Sequence, residues 1–158
     1  MVRSIGAAVE RKSQGEIIAL DIEMRAELAR QRAAKLARPV RFAYLIWRKP
    51  WMSVNADTFA HALLTLAGGD NVFGARPVRY PEVTADALGE ARPDAVFLGS
   101  EPFPFEDSHA DELARLTGIP RARFAFADGE YLSWHGSRTP DGIDYAAGLI
   151  AAAATRQG

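Results

Sequence analysis

The side chains able to do chemistry in this 158-residue chain gather in three short stretches: WRKPWMS at Trp47–Ser53, SEPFPF at Ser100–Phe105 and DGEYLSWHGSR at Asp128–Arg138. All three tryptophans of the chain lie there. Flat aromatic faces beside a few fixed polar groups make a wall for a large, partly apolar small molecule. Trp51, Glu101, Phe103, Tyr131, Trp134, His135 and Arg138 are the candidates for such a wall. Trp47, at the end of an apolar run, reads as core rather than contact, and Phe103 and Phe105 also read as plugs that seat their loop.

A second chemistry is written in the same stretches. Ser100, Asp128 and His135 stand in the chain order of an α/β-hydrolase triad, the enzymatic alternative. Such a nucleophile sits on a G-x-S-x-G elbow that feeds straight into a helix. Here the stretch is LGSEPFPF, and Pro102 and Pro104 bar a helix at that point, so no enzyme is expected. His61, His109 and His135 have no ligand spacing such as H-x-x-x-H. No metal site is expected, and Glu101, Asp128 and His135 are the nearest donors if the chain held one. Neither G-x-G-x-x-G nor G-x-x-x-x-G-K-[ST] occurs, so no phosphate cradle is present.

The elements that must position these loops follow from periodicity. Ile17, Leu20, Met24 and Leu28 recur at helical spacing from about residue 16 to 36, with Gly15 a point for a break or kink. VRFAYLIW, from Val40, reads as a strand, and a helix follows over 56–67 with Asn55 or Asp57 as its cap and Gly68-Gly69 as its stop. Asn71–Phe73 reads as a short extended piece. Pro81–Ala91 reads as a helix capped by Thr84, Ala95–Leu98 as a buried strand of the parallel-sheet kind, and Ser108–Thr117 as a helix. Arg123–Ala127 reads as a last strand, Asp128–Gly142 as a long loop and Ile143–Thr155 as the closing helix. Strands alternating with helices predict an α/β fold: a three-layer parallel sheet flanked by helices, preceded by one long backbone helix. The loops leaving the C-terminal ends of its strands are where ligands sit in such sheets.

Composition narrows the partners. A formal net charge of −1 leaves no basic footprint for nucleic acid, and 48% hydrophobic with 25% charged residues is ordinary for a globular domain. With no cysteine, disulfides, thiolate metal sites and cysteine nucleophiles are excluded. No apolar run reaches the roughly 20 residues that cross a bilayer, and the first residues lack the apolar stretch of a signal peptide.

Taken in order, AYLIWRKPWMSVNADTF, LLTLAGGDNVF, RYPEVTADAL, PDAVFLGSEPFPF and DGEYLSWHGSR resemble the C-terminal lobe of the cobalamin-type helical-backbone metal receptors, the substrate-binding proteins of ABC importers. The resemblance covers nearly the whole chain. It implies a long interlobe backbone helix over residues 1–38, its rigid part from about 4 to 36, and a C-terminal α/β lobe over 39–158, with the N-terminal lobe absent. It implies a corrinoid, haem or ferric siderophore as ligand and no tightly bound cofactor. Carried over by position, it makes Pro50–Ser53 (with Trp51 and Ser53), Glu101-Pro102-Phe103, and Trp134 with His135 and Arg138 the cleft-facing groups. It makes Asp86, or Glu82 in its place, the acid that docks on an ABC permease, although an acid at a helix start is also favoured by the helix dipole alone. It further implies a periplasmic or cell-envelope location, and either the N-terminal lobe or self-association to cover the exposed surface. A regulatory module that kept the fold without transport is the remaining alternative.

Overall fold

A computed structural model describes residues 1–156. Its centre is β1 (Val40–Trp47), whose side chains alternate between two cores. β4 (Ala95–Gly99) pairs with it in parallel, Phe42 opposite Ala95 and Leu45 opposite Leu98, and β5 (Phe124–Ala127) continues in parallel on β4 as the edge. The short β3 (Gly69–Asn71) also runs parallel to β1. The expected all-parallel sheet has one exception. β2 (Met52–Ser53) returns antiparallel to β1, because the Trp47–Trp51 turn reverses the chain immediately.

Helices cover both faces, giving the expected three layers. On one face Val40, Phe42, Tyr44, Ala95 and Phe97 pack against α2 (Lys12–Ala33), α3 (Phe59–Leu66), α6 (Gly129–Ser133) and α7 (Thr139–Thr155). On the other, Ala43, Leu45, Val96 and Leu98 meet Leu88 of α4 (Ala85–Glu90) and Ala110 and Leu113 of α5 (Asp107–Thr117).

The N-terminal helix departs from expectation in two ways. It is not continuous from residue 4. α1 (Val2–Ala8) ends at a turn in which Glu10 takes a positive φ of 56°, and the chain folds back so that Gly6 lies on Gly15. A Cβ on either glycine would stand 3.0–3.1 Å from the other's Cα, so the two helices would have to move apart by a few tenths of an ångström. Gly15 is therefore the helix–helix contact rather than the break. Arg3 clamps the hairpin through Glu16 (2.8 Å) and Glu23 (2.6 Å).

The second departure is the face that is buried. Ala19, Ala26 and Ala29 of α2 are buried, while Ile17, Leu20, Met24 and Leu28 are 67, 53, 57 and 44% exposed. Those four lie on the opposite side of the helix. Small side chains let α2 approach α7 closely, where Arg25 also reaches Asp144 (2.5 Å), and the larger apolar stripe is left outside.

Smaller differences have local causes. Residues 81–84 are not helical, because Pro81 O accepts from Ser53 N–H and Val83 N–H donates to Trp51 O, which ties the segment to β2. Thr58 caps α3, accepting from His61 N–H at 3.3 Å, while Asn55 accepts from Asp57 N–H. The expected long loop over 128–142 contains α6 and a 3₁₀ turn at Gly136–Arg138, and α7 begins four residues early with Pro140 in its first turn, a position that suits proline.

Candidate functional site

Where β1 and β4 end, the surface opens into a hollow of about 690 Å³. That is within the range of small-molecule sites. Its floor is Tyr44, Val54 and Leu132, all buried, and its walls are Trp47, Phe59, Tyr80 and His135. Polar groups are few: Thr58, Arg79, Glu101 and Ser133. Each element contributes at its end. β1 supplies Tyr44, Ile46 and Trp47, the β4–α5 loop Glu101 and Pro102, the first turn of α3 Phe59 and Ala60, and α6 with its exit Leu132, Ser133 and His135.

Local packing holds these groups. Gly129 is pressed against Glu101, where a Cβ would stand 2.9 Å from the Glu101 backbone nitrogen. A glycine at the start of α6 is thus what lets that helix approach the β4 exit. His135 stacks on Phe59 with ring centroids 4.1 Å apart and planes 28° apart. Trp47, 39% exposed, stands edge-on to Phe103 at 5.7 Å. Burial pushes the Tyr44 phenol well above its usual range, helped by Tyr145, Glu101 and Asp128 nearby, so it stays a neutral hydroxyl at the floor.

The sequence-expected residues divide. Glu101 and His135 line the hollow. Phe103 lies behind it, between Trp47 and Phe105, and supports Trp47 rather than facing a ligand. Ser53 is fully buried, its hydroxyl donating to Tyr44 O at 2.9 Å, so its expected cleft-facing role is corrected. Trp51 stacks on Phe105 at 6.2 Å beneath the Arg48 guanidinium and packs on the core of the α4–α5 face. Trp134 is 48% exposed and sits under Arg138 at 5.1 Å. Arg138 in turn lies 5.6 Å over Tyr131 and bonds Glu130 at 2.7 Å. This second cluster adjoins the hollow through Ser133 and His135 without lining it. Asp86, in the first turn of α4, and Glu82 are both exposed.

Trp47, expected in the core, lines the hollow instead. Phe59, Tyr80, Arg79 and Tyr44 were not foreseen. Tyr44 carried a signal, a hydroxyl-bearing ring near the C-terminal end of the central strand. Arg79-Tyr80 carried a weaker one, a polar-aromatic pair in a segment without periodicity.

The hydrolase geometry is not formed. The Ser100 hydroxyl accepts from Gly129 N–H at 3.0 Å, Asp128 accepts from Glu130 N–H at 3.0 Å, and His135 stacks on Phe59. Among the described residues no three acidic or histidine side chains gather as a metal site, and no helix is long and apolar enough to cross a membrane.

No protein-family model matches the sequence, and no curated protein does. Solved structures do match. The periplasmic vitamin B12 binding protein BtuF of Vibrio cholerae superposes with a TM-score of 0.75 at 20% identity, over 96% of this chain and 60% of that one. The periplasmic heme-binding protein RhuT from Roseiflexus sp. RS-1 gives 0.79 at 22%, over 96 and 61%. An ABC-type Fe3+-hydroxamate transport protein from Saccharomonospora viridis DSM 43017 gives 0.74 at 18%, over 96 and 53%. The fold is therefore that found in part of these binding proteins, and the chain spans about 60% or less of their length.

Proposed function

We propose that this chain is one lobe of a two-lobed substrate-binding component of an ABC importer, and that the hollow is one wall of its cleft for a metal chelate of the corrinoid, haem or ferric siderophore kind. The observation that carries the reading is the 690 Å³ aromatic hollow at the exits of β1 and β4, on a fold shared with binding proteins for such ligands. Ligand faces lose water against Trp47, Phe59, Tyr80 and the stacked His135, the Tyr44 hydroxyl can donate from below, and Ser133 Oγ, which donates to Gly129 O, can accept from beside. Binding of this kind needs no bond making or breaking.

We take the remainder of the neighbours' length as a second lobe that closes the open side. On this reading the whole receptor works in the periplasm or cell envelope, α2 is the backbone between lobes, and exposed Asp86 or Glu82 meets the permease. Titrating the chain with cyanocobalamin and with haem, followed by tryptophan fluorescence, tests it. Quenching that is lost in Trp47→Ala and kept in Trp134→Ala is the expected result. No quenching by either ligand at millimolar concentration, or quenching that survives Trp47→Ala unchanged, would overturn it.

A further inference from the structure

The charges around the hollow are not arranged for an anion. Among the described residues Arg79 is the one arginine or lysine on its wall; it stands 5.8 Å over the Tyr80 ring and 4.0 Å from Asp57, a loose and exposed pair with no hydrogen bond. In the flanking loops Arg138 bonds Glu130 at 2.7 Å and Arg48 bonds Glu112 at 2.9 Å, and neither they nor Lys49 line the hollow. By contrast, Glu101 on the wall and Asp128 beside it have no cationic partner among the described residues. A smaller hollow lined by Glu101, Asp128 and Glu130 adjoins the first across Glu101.

We infer that this wall selects an uncharged chelate over a polyanionic one of the same shape. The inference rests on the hollow being the ligand wall. A carboxylate-rimmed ligand entering here would meet one exposed cation, Arg79, against two exposed carboxylates without a cationic partner among the described residues, Glu101 and Asp128, and an anion that loses water without a partner is costly. An amide- or ester-rimmed ligand keeps the aromatic contact; its carbonyls can accept from the Tyr44 hydroxyl, and amide N–H groups can donate to Glu101 and to Ser133 Oγ. Like-charge juxtaposition acts here against the wrong partner rather than for the right one.

Two matched pairs isolate charge from size. The first is cyanocobalamin against the tricarboxylic acid made by hydrolysing three of its peripheral amides. The second is haem dimethyl ester against haem with its two propionates. Each is titrated at about pH 8, above the ordinary imidazole range, and followed by the shift of the Trp47 indole resonance. In whichever pair binds, the neutral member is expected to bind at least about tenfold tighter, a discrimination ordinary for one or two unpaired charges. Glu101→Gln should narrow that gap about threefold or more. Charged members binding as tightly as neutral ones, or a gap that Glu101→Gln leaves intact, would overturn the selectivity and leave the site standing. Failure of all four ligands to bind would remove the ligand wall itself, and the selectivity with it.

Discussion

Substitutions on the two faces of α2 should have opposite consequences from those its hydrophobicity suggests. Ala29 is 2% exposed and packed in the core beneath α7, so Ala29→Leu forces three extra carbons into filled space. Overpacking of that size costs about 1–3 kcal/mol. Ile17 is 67% exposed, and glutamine is at least as good a helix former as isoleucine. Ile17→Gln should therefore stay within about 0.5 kcal/mol, the usual range for an exposed site. Urea unfolding followed by circular dichroism, with the slope unchanged between variants, measures both. The more hydrophobic variant should be the less stable one. If Ala29→Leu is neutral or stabilising while Ile17→Gln costs 2 kcal/mol or more, the helix is docked by its large apolar stripe, and the placement of α2 on α7 is wrong.

Other outcomes follow from single contacts. Thr58→Ala removes the cap on α3 and should lower stability by about 1 kcal/mol in the same unfolding assay. The Arg38 guanidinium, with the Arg41 N–H, holds the Asp94 carboxyl below the usual carboxylate range. A depressed carboxylate stabilises above its unfolded value and loses that contribution as pH falls through its folded one. Asp94→Asn should thus flatten the acid limb of a stability–pH curve below about pH 4, and an unchanged limb would count against the pair. Burial pushes His61 below the ordinary imidazole value, and its Nδ1 lies 3.3 Å from the Asn71 amide nitrogen, an arrangement suited to the neutral ring. Stability from this source is present above about pH 6.5 and declines as pH falls below it. His61→Gln should abolish that decline, as read from melting temperatures across pH 5–7.

Much of the architecture was legible because strands and helices advertise themselves by period. VRFAYLIW and AVFLG are apolar runs bounded by turn residues, and both are strands buried on two faces. Their exits carry the hollow, as the parallel-sheet rule expects. The finer geometry of the site was less legible. All three tryptophans fall at or beyond strand exits, and sequence alone does not say which of them share a surface. Trp47 reaches the hollow, while the turn after it carries Trp51 onto Phe105 on the far face of the sheet. Ser53 is one residue of alternation away from a cleft-facing position, and its place in β2 points it inward.

Local preference and the alternation of apolar residues were enough to read the α/β class, the three central strands with the helices between them, and the sheet edge that carries the hollow. Tertiary structure alone decided which aromatics share that edge, that α1 folds back at Glu10, and that α2 presents alanines to the core and leucines to solvent. The physical reason is that a stripe of side chains states only that one face of a helix is apolar. Which face is buried depends on how closely the partner helix can approach, and here the small residues allow the closer contact.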